Sequence, residues 1–290
     1  MHSKTPLYYP LIALFGALGL IGCATHRPLR ASFLDVGQGD ACVLQLPSGK
    51  VCVIDTGGKL TTQNDDMGRR VLLPYLRSQG IQQIDILLLT HPDEDHTGGA
   101  ETLLKQFPIH TLILNTAEPS PILQTLHTIA NERKVSVRYA HAGEWIDFQD
   151  GVEMHILAPS PTLFTAKDNN KSLVLQVKYR KTSLLLTGDA EREEEEDLIA
   201  RKVPLGANLL KVGHHGSHTS TSAEFLTAVH PQIAILSAGK NNRFGHPHPE
   251  VVERLSKAHV QTYRTDQHGA ITCDSDGESL TCTPYTRLPQ

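Results

Sequence analysis

The segment that most constrains this chain is Leu87-Leu88-Leu89-Thr90-His91-Pro92-Asp93-Glu94-Asp95-His96-Thr97-Gly98-Gly99. Residues 84–89 are an apolar run broken only by Asp85, close to the pattern of a strand buried on both faces. It ends on His91, Asp93, Asp95 and His96. Open α/β sheets place their ligand crevices at the carboxyl ends of strands, and carboxylates gathered at a buried edge are costly unless a cation neutralises them. The segment therefore predicts a divalent-metal site. The blander alternative is a polar loop in which Asp95 only caps a helix.

Three later segments repeat this arrangement. Leu184-Leu185-Leu186-Thr187-Gly188-Asp189 ends an apolar run on a carboxylate, and Leu209-Leu210-Lys211-Val212-Gly213-His214-His215-Gly216-Ser217 ends another on paired histidines. Ile235-Leu236-Ser237-Ala238-Gly239 leads into Asn241-Asn242-Arg243-Phe244-Gly245-His246-Pro247. Taken singly, Asp189 reads equally as a helix cap and His246 as a loop residue. Their recurrence at successive strand ends favours one shared site.

Between these segments strands and helices alternate. Strands are expected at residues 31–36, 41–46, 51–55, 84–89, 111–114, 135–139, 144–148, 152–157, 173–179, 183–186, 208–212 and 233–237, with terminal strands after that. Helices are expected at 67–79, 98–106, 121–133, 191–201, 223–229 and 249–258. Two similar mixed halves imply an α/β fold with two sheets between helix layers. The acidic run 191–197 reads as a solvated helix face. With 290 residues and 39% hydrophobic content, a single large domain is the expected size class. A net charge of −4 supplies no global basic field for a polyanion, so a nucleic-acid role must rest on the site itself. Sixteen histidines, many beside Gly, Asp or Pro, again point to metal. No segment identifies a protein partner.

Residues 1–23 read as a targeting segment: Lys4 precedes a short apolar stretch that ends in Leu20-Ile21-Gly22-Cys23, a lipobox-like sequence. The expectation is a lipoprotein signal peptide at 1–23, lipidation of Cys23, a linker at 24–30 and a domain at 31–290, anchored outside the cytoplasm. A plain signal peptide or an uncleaved anchor are the alternatives, and each also exports the rest. Cys42 with Cys52 and Cys273 with Cys282 each flank a turn-like segment. In an exported chain both pairs are expected as disulfides across hairpins, the alternative being buried thiols.

The signatures Phe33-Leu34-Asp35-Val36-Gly37-Gln38-Gly39-Asp40, the His91 segment, Thr187-Gly188-Asp189-Ala190-Glu191, Val212-Gly213-His214-His215-Gly216-Ser217 and Asn242-Arg243-Phe244-Gly245-His246-Pro247 occur in order. Together they resemble metallo-β-lactamase-fold domains of the ComEC type. The resemblance implies a four-layer αββα sandwich in which His91, Asp93, Asp95, His96, Asp189 and His214 bind one or two divalent ions. Asp93 stands where the wider family has a second histidine, which hardens the site and makes manganese a rival to zinc. Asn169-Asn170-Lys171-Ser172 stands near the place of another family histidine, and His155 reads as an ordinary strand residue.

The chemistry implied is hydrolysis. Asp95 is expected to hold or deprotonate the water, and His215 or His246 to protonate the leaving oxygen. Lys211, Ser217, Asn242 and Arg243 are candidate phosphate donors. A phosphodiester substrate, DNA included, is favoured. Hydrolysis of a lactone, thioester or β-lactam, or binding without turnover, are the competing readings.

Overall fold

The computed structural model describes residues 27–60, 65–115, 120–163 and 165–285. The segment expected as a signal peptide at 1–23, the lipidation expected at Cys23 and residues 24–26 of the expected linker lie outside them. Fifteen strands occur among the described residues: β1 Leu29–Phe33, β2 Cys42–Gln45, β3 Val51–Ile54, β4 Ile84–Leu89, β5 Ile109–Leu114, β6 Ser136–Tyr139, β7 Trp145–Asp147, β8 Val152–Ala158, β9 Val174–Tyr179, β10 Thr182–Leu186, β11 Leu209–Lys211, β12 Ile233–Leu236, β13 Gln261–Arg264, β14 Ile271–Ser275 and β15 Leu280–Pro284. The helices are α1 Leu73–Ser78, α2 Glu94–Thr97, α3 Ala100–Gln106, α4 Pro121–Glu132, α5 Arg192–Ala200, α6 Ala223–Val229, α7 Pro249–Lys257 and α8 Thr265–His268. No described helix is long and apolar enough to cross a membrane.

The strands form an eight-stranded sheet in the order β15-β14-β1-β2-β3-β4-β5-β6 and a seven-stranded sheet in the order β13-β12-β11-β10-β9-β8-β7. Phe33, Leu44, Ile54 and Leu88 of the first pack against Met154, Ile156, Leu175, Leu184 and Leu209 of the second. The outer face of the first sheet is covered by Leu76 of α1, Leu103 and Leu104 of α3 and Leu126 and Ile129 of α4. That of the second is covered by Leu198 of α5, Phe225 of α6 and Val251 and Leu255 of α7. This is the four-layer αββα sandwich. Local chemistry starts its helices: Ser120 and Ser222 accept from the amides of Leu123 and Phe225 at 3.3 and 3.1 Å, and Pro121 and Pro249 open α4 and α7.

Strands β3 to β6 run parallel, as do β10 to β13. Their carboxyl ends gather the loops that carry the site. β1 begins at Leu29, inside the segment expected as linker. Leu29 and Ala31 pair with Ser275 and Cys273, more than two hundred residues away, and no local pattern announces that partnership.

Two further expectations are corrected here. Cys273 and Cys282 face each other across β14 and β15 and are disulfide-bonded. Cys42 and Cys52 are buried free thiols. The register pairs Cys42 with Ile54 and Leu44 with Cys52, so the two cysteines sit diagonally on one face, where they pack as small apolar residues. The acidic helix is a solvated face only in part, through Glu193 and Glu196. Glu191, Glu194 and Glu195 are all buried. Glu195 accepts from the amides of Thr221 and Ser222 and so ties α5 to the start of α6.

Glu194 has both carboxyl oxygens buried and makes no well-formed hydrogen bond among the described residues. Burial first, and the nearby Asp197 second, push its carboxyl well above the usual 4.5. The folded chain therefore keeps a proton that the unfolded chain releases as pH rises through that value. Stability at this site is lost from about pH 4.5 upward. Glu194→Gln is accordingly expected to gain about 1 kcal/mol or more at pH 8 and nothing at pH 4, read from urea midpoints at both. An equal difference at the two pH values would exclude this account.

Candidate metal centre

The site is built outward from Asp55, at the end of β3. Its carboxylate accepts from the Thr90 amide at 2.8 Å and the Thr90 hydroxyl at 2.7 Å. It also lies 2.8 Å from His96 Nδ1. A proton held on Nδ1 by this bond leaves Nε2 as a lone-pair donor aimed inward, the arrangement that orients metal-binding imidazoles. His215, after β11, is set in the same way: its Nδ1 is 3.0 Å from the Ser237 carbonyl at the end of β12, and its Nε2 points inward. The loop before β2 closes the floor. Asp40 donates its amide to the Asp95 carbonyl at 3.2 Å. Gly39, at φ +136°, lies so near that a Cβ there would stand 2.3 Å from the same carbonyl, so only glycine admits this approach.

Asp95, His96, Asp189 and His215 each offer a ligand atom, all within 4.8 Å of one another. His96 Nε2 is 3.2 Å from Asp189 Oδ1, and His215 Nε2 is 3.2 Å from Asp95 Oδ2 and 3.4 Å from Asp189 Oδ2. Burial opposes charge on His96 and His215, yet Asp189, aided by Asp55 at one and Asp40 and Asp95 at the other, holds both well above the ordinary imidazole range. Asp189 is likewise disfavoured by burial as an anion, but His215 and His96 hold it well below the usual carboxylate range. Two imidazolium protons thus balance the carboxylates, a charge that one divalent cation replaces. His91 Nε2, His96 Nε2 and Asp189 Oδ1 are buried and, the 3.2 Å ion pair between the last two aside, make no well-formed hydrogen bond among the described residues. Buried polar atoms are normally satisfied, and coordination by these imidazoles and carboxylates supplies what they lack. The donor set fits a divalent metal.

Of the six expected ligands, Asp95, His96 and Asp189 stand in this cluster. His91 flanks it, its ring centroid 4.1 Å from that of His96, and Asp93 reaches back to within 3.6 Å of His91 Nε2. His214 does not join them. Its Nδ1 pairs with Glu191 at 3.1 Å, and its Nε2 is 3.8 Å from Asp189. His215, expected as a proton donor, takes the cluster position instead. Both residues have positive φ, 45° and 54°, so the turn sends adjacent side chains in different directions. Asn169 lies 3.4 Å from His214, and His155 stacks on Trp145, away from the cluster.

Three of the four expected phosphate donors are occupied elsewhere. Lys211 is buried in β11 with its ammonium on Asp40 Oδ2, beneath the site rather than at its mouth. Ser217 is buried and bonds Thr219 at 2.9 Å. Asn242 is consumed by its own loop: its amide donates to the carbonyls of Gly239 and His246, and its Oδ1 accepts from the amides of Phe244 and His246 at 3.1 and 3.0 Å. Arg243 is exposed, with no ion pair among the described residues, and its guanidinium lies 4.9 Å from the Phe244 ring centre. His246 is half-buried beside the cluster, its ring 6.2 Å from that of His215. Burial and the charges of His215 and His214 push it down to about 4, leaving it neutral at pH 7.

Asp40, Asp55 and Gln38 were not among the expected site residues. Asp55 follows the apolar Val51-Cys52-Val53-Ile54 and precedes Thr56-Gly57-Gly58, the same strand-then-carboxylate pattern as the other segments. Gln38 links two loops, accepting from the Gly239 amide at 3.2 Å while its Nε2 lies 3.5 Å from His246 Nδ1. Only the folded chain reveals that link.

Residues 34–240 match the family model for the metallo-beta-lactamase superfamily. The chain is 38% identical over 250 residues to ComE operon protein 3 of Bacillus subtilis, covering 82% of this chain and 32% of that protein. It is 39% identical over 239 residues to Recombination protein 2 of Haemophilus influenzae, covering 82% and 28%. It thus spans about a third of the length of these curated relatives. The crystal structure of CmlA, a diiron beta-hydroxylase from Streptomyces venezuelae, shares the fold at a TM-score of 0.55 and 12% identity, over 84% of this chain and 54% of that one. Sandwich, metal-fitting cluster and sequence matches agree: the chain belongs to the metallo-beta-lactamase superfamily, as a domain related to the ComEC-type competence proteins.

Proposed function

We propose that this domain is a phosphodiesterase of the nuclease type, held on the outer side of a membrane by an acylated Cys23. The observation that carries the reading is the pairing of a carboxylate-rich cluster, Asp95, His96, Asp189 and His215, with the unpaired Arg243 beside His246 at its margin. Planar guanidinium binds phosphate oxygens by paired hydrogen bonds. The names of the relatives, one a recombination protein, agree with a DNA substrate.

A divalent ion, zinc or manganese, held by Asp95, His96, Asp189 and His215 supplies Lewis-acid activation of water and stabilises oxygen charge. The protein's own groups do the rest. Asp95 is a third exposed, at 34%, so its carboxylate meets both water and substrate and takes the proton of the attacking water. Arg243 grips a non-bridging phosphate oxygen. Gln38 Nε2 presented to His246 Nδ1 leaves the ring proton on Nε2. His246 thus offers the leaving oxygen a hydrogen bond from its neutral Nε2–H and keeps that proton, and the proton taken up by Asp95 passes to the leaving oxygen. On sequence alone, His215 or His246 is expected to protonate that oxygen.

Protein loaded with manganese or zinc should hydrolyse bis-p-nitrophenyl phosphate and a single-stranded oligonucleotide, leave nitrocefin intact, and lose this activity to chelator. Turnover of nitrocefin or a lactone without phosphodiester cleavage would overturn the reading. Stoichiometric metal with no turnover at all would replace it with a binding role.

A further inference from the structure

Phe244 is 53% exposed beside the cluster, where a large apolar ring gains nothing from solvent. Its loop holds it there rigidly. The Asn242 side chain bonds four backbone groups, those of Gly239, Phe244 and His246. Gln38 pins His246 from the opposite loop. The Phe244 ring is nearly parallel to that of His246, at 21° with centroids 5.7 Å apart. His246 in turn lies 5.4 Å from His214 and 6.2 Å from His215. One imidazole therefore separates Phe244 from the metal-fitting cluster. Arg243 caps the ring without a competing acid among the described residues, free to swing onto a phosphate and bare the ring face.

A fixed aromatic ring next to a phosphate-gripping arginine is the pairing by which single-stranded nucleic acids are held: cation to backbone, ring to base. We propose that Phe244 is a base-stacking subsite, so that the substrate class is single-stranded nucleic acid with a nucleobase one residue from the scissile phosphate. The inference rests on the phosphodiesterase reading above. Recognition is sequence-tolerant, because every base offers a π-face and no paired donors or acceptors surround the ring. A lipid phosphodiester or a sugar phosphate gains no such contact.

The test compares two substrates of equal length and charge on metal-loaded full-length protein: a mixed-sequence single-stranded oligodeoxynucleotide, and the same backbone built from abasic tetrahydrofuran units. Wild type should show the lower KM for the base-bearing strand. Loss of one base–ring stack corresponds to about 5- to 150-fold in affinity. Phe244→Ala should therefore shrink the KM preference for the base-bearing strand by about that factor, with little change in kcat, and Phe244→Trp should restore it. An exposed position leaves folding intact in both variants, which thermal melting checks. Equal KM for the two strands in wild type, or an unchanged preference in Phe244→Ala, would overturn the stacking subsite while leaving phosphodiester cleavage standing. No cleavage of either strand would overturn both the phosphodiesterase reading and this one.

Discussion

Asp189→Asn is expected to lower hydrolytic turnover by about 10³-fold or more and to strip most of the bound metal. The substitution keeps shape and removes one buried negative charge. Asp189 faces both His96 and His215, at 3.2 and 3.4 Å, and its field favours the charged form of both imidazoles against burial. Without it, burial dominates, the histidines lose their common partner, and a cation loses its central carboxylate. Metal catalysis contributes several kcal/mol of transition-state stabilisation, so the rate loss is large even if residual metal binds. Metal content by mass spectrometry, beside kcat/KM on a phosphodiester, checks it. Full occupancy with activity within about tenfold of wild type would remove Asp189 from the centre.

Asp40→Ala is expected to be the most damaging single change to stability, about 3–5 kcal/mol. Asp40 is buried, with one oxygen on the buried Lys211 ammonium and the other 3.6 Å from His215 Nδ1. Burial alone would disfavour its charge, yet Lys211 and His215 hold it well below the usual carboxylate range. Removing it leaves an ammonium inside β11 with no anion, a cost larger than the worth of an intact pair. Replacing both members, Asp40→Ala with Lys211→Met, should recover most of the loss. Urea denaturation of the three variants decides it. A loss below about 1 kcal/mol for Asp40→Ala would mean that water reaches Lys211 after all, and would reopen Lys211 as a substrate donor.

Much of the metal centre was legible before folding was considered. His91, Asp95, His96 and Asp189 each follow a short apolar run, and the rule that parallel strands deliver ligands at their carboxyl ends places such residues on one edge. The αββα layering followed from two strand–helix halves with buried parallel strands. What the sequence left open were choices between near neighbours and judgements of burial. His214 and His215 are adjacent, and which one faces inward is fixed by two positive-φ residues in the turn. Lys211, Ser217 and Asn242 carry the chemistry of phosphate donors, but their partners lie at Asp40, Thr219 and the turn of their own loop.

The sequence by itself determined the fold class, the strands that end on ligands and the identities of most groups that meet there, because alternation of apolar residues and punctuation by Gly, His and Asp are local properties of the chain. Tertiary structure alone decided the rest. It paired β1 with β14, set Cys42 diagonal to Cys52 while bringing Cys273 opposite Cys282, buried Glu194, and sank Lys211 beneath the metal site. Each of those outcomes depends on register and on partners far along the chain. A side chain's charge, thiol or hydroxyl says what it can do, and only its neighbours across the sheets say whether it meets water, a partner or the substrate.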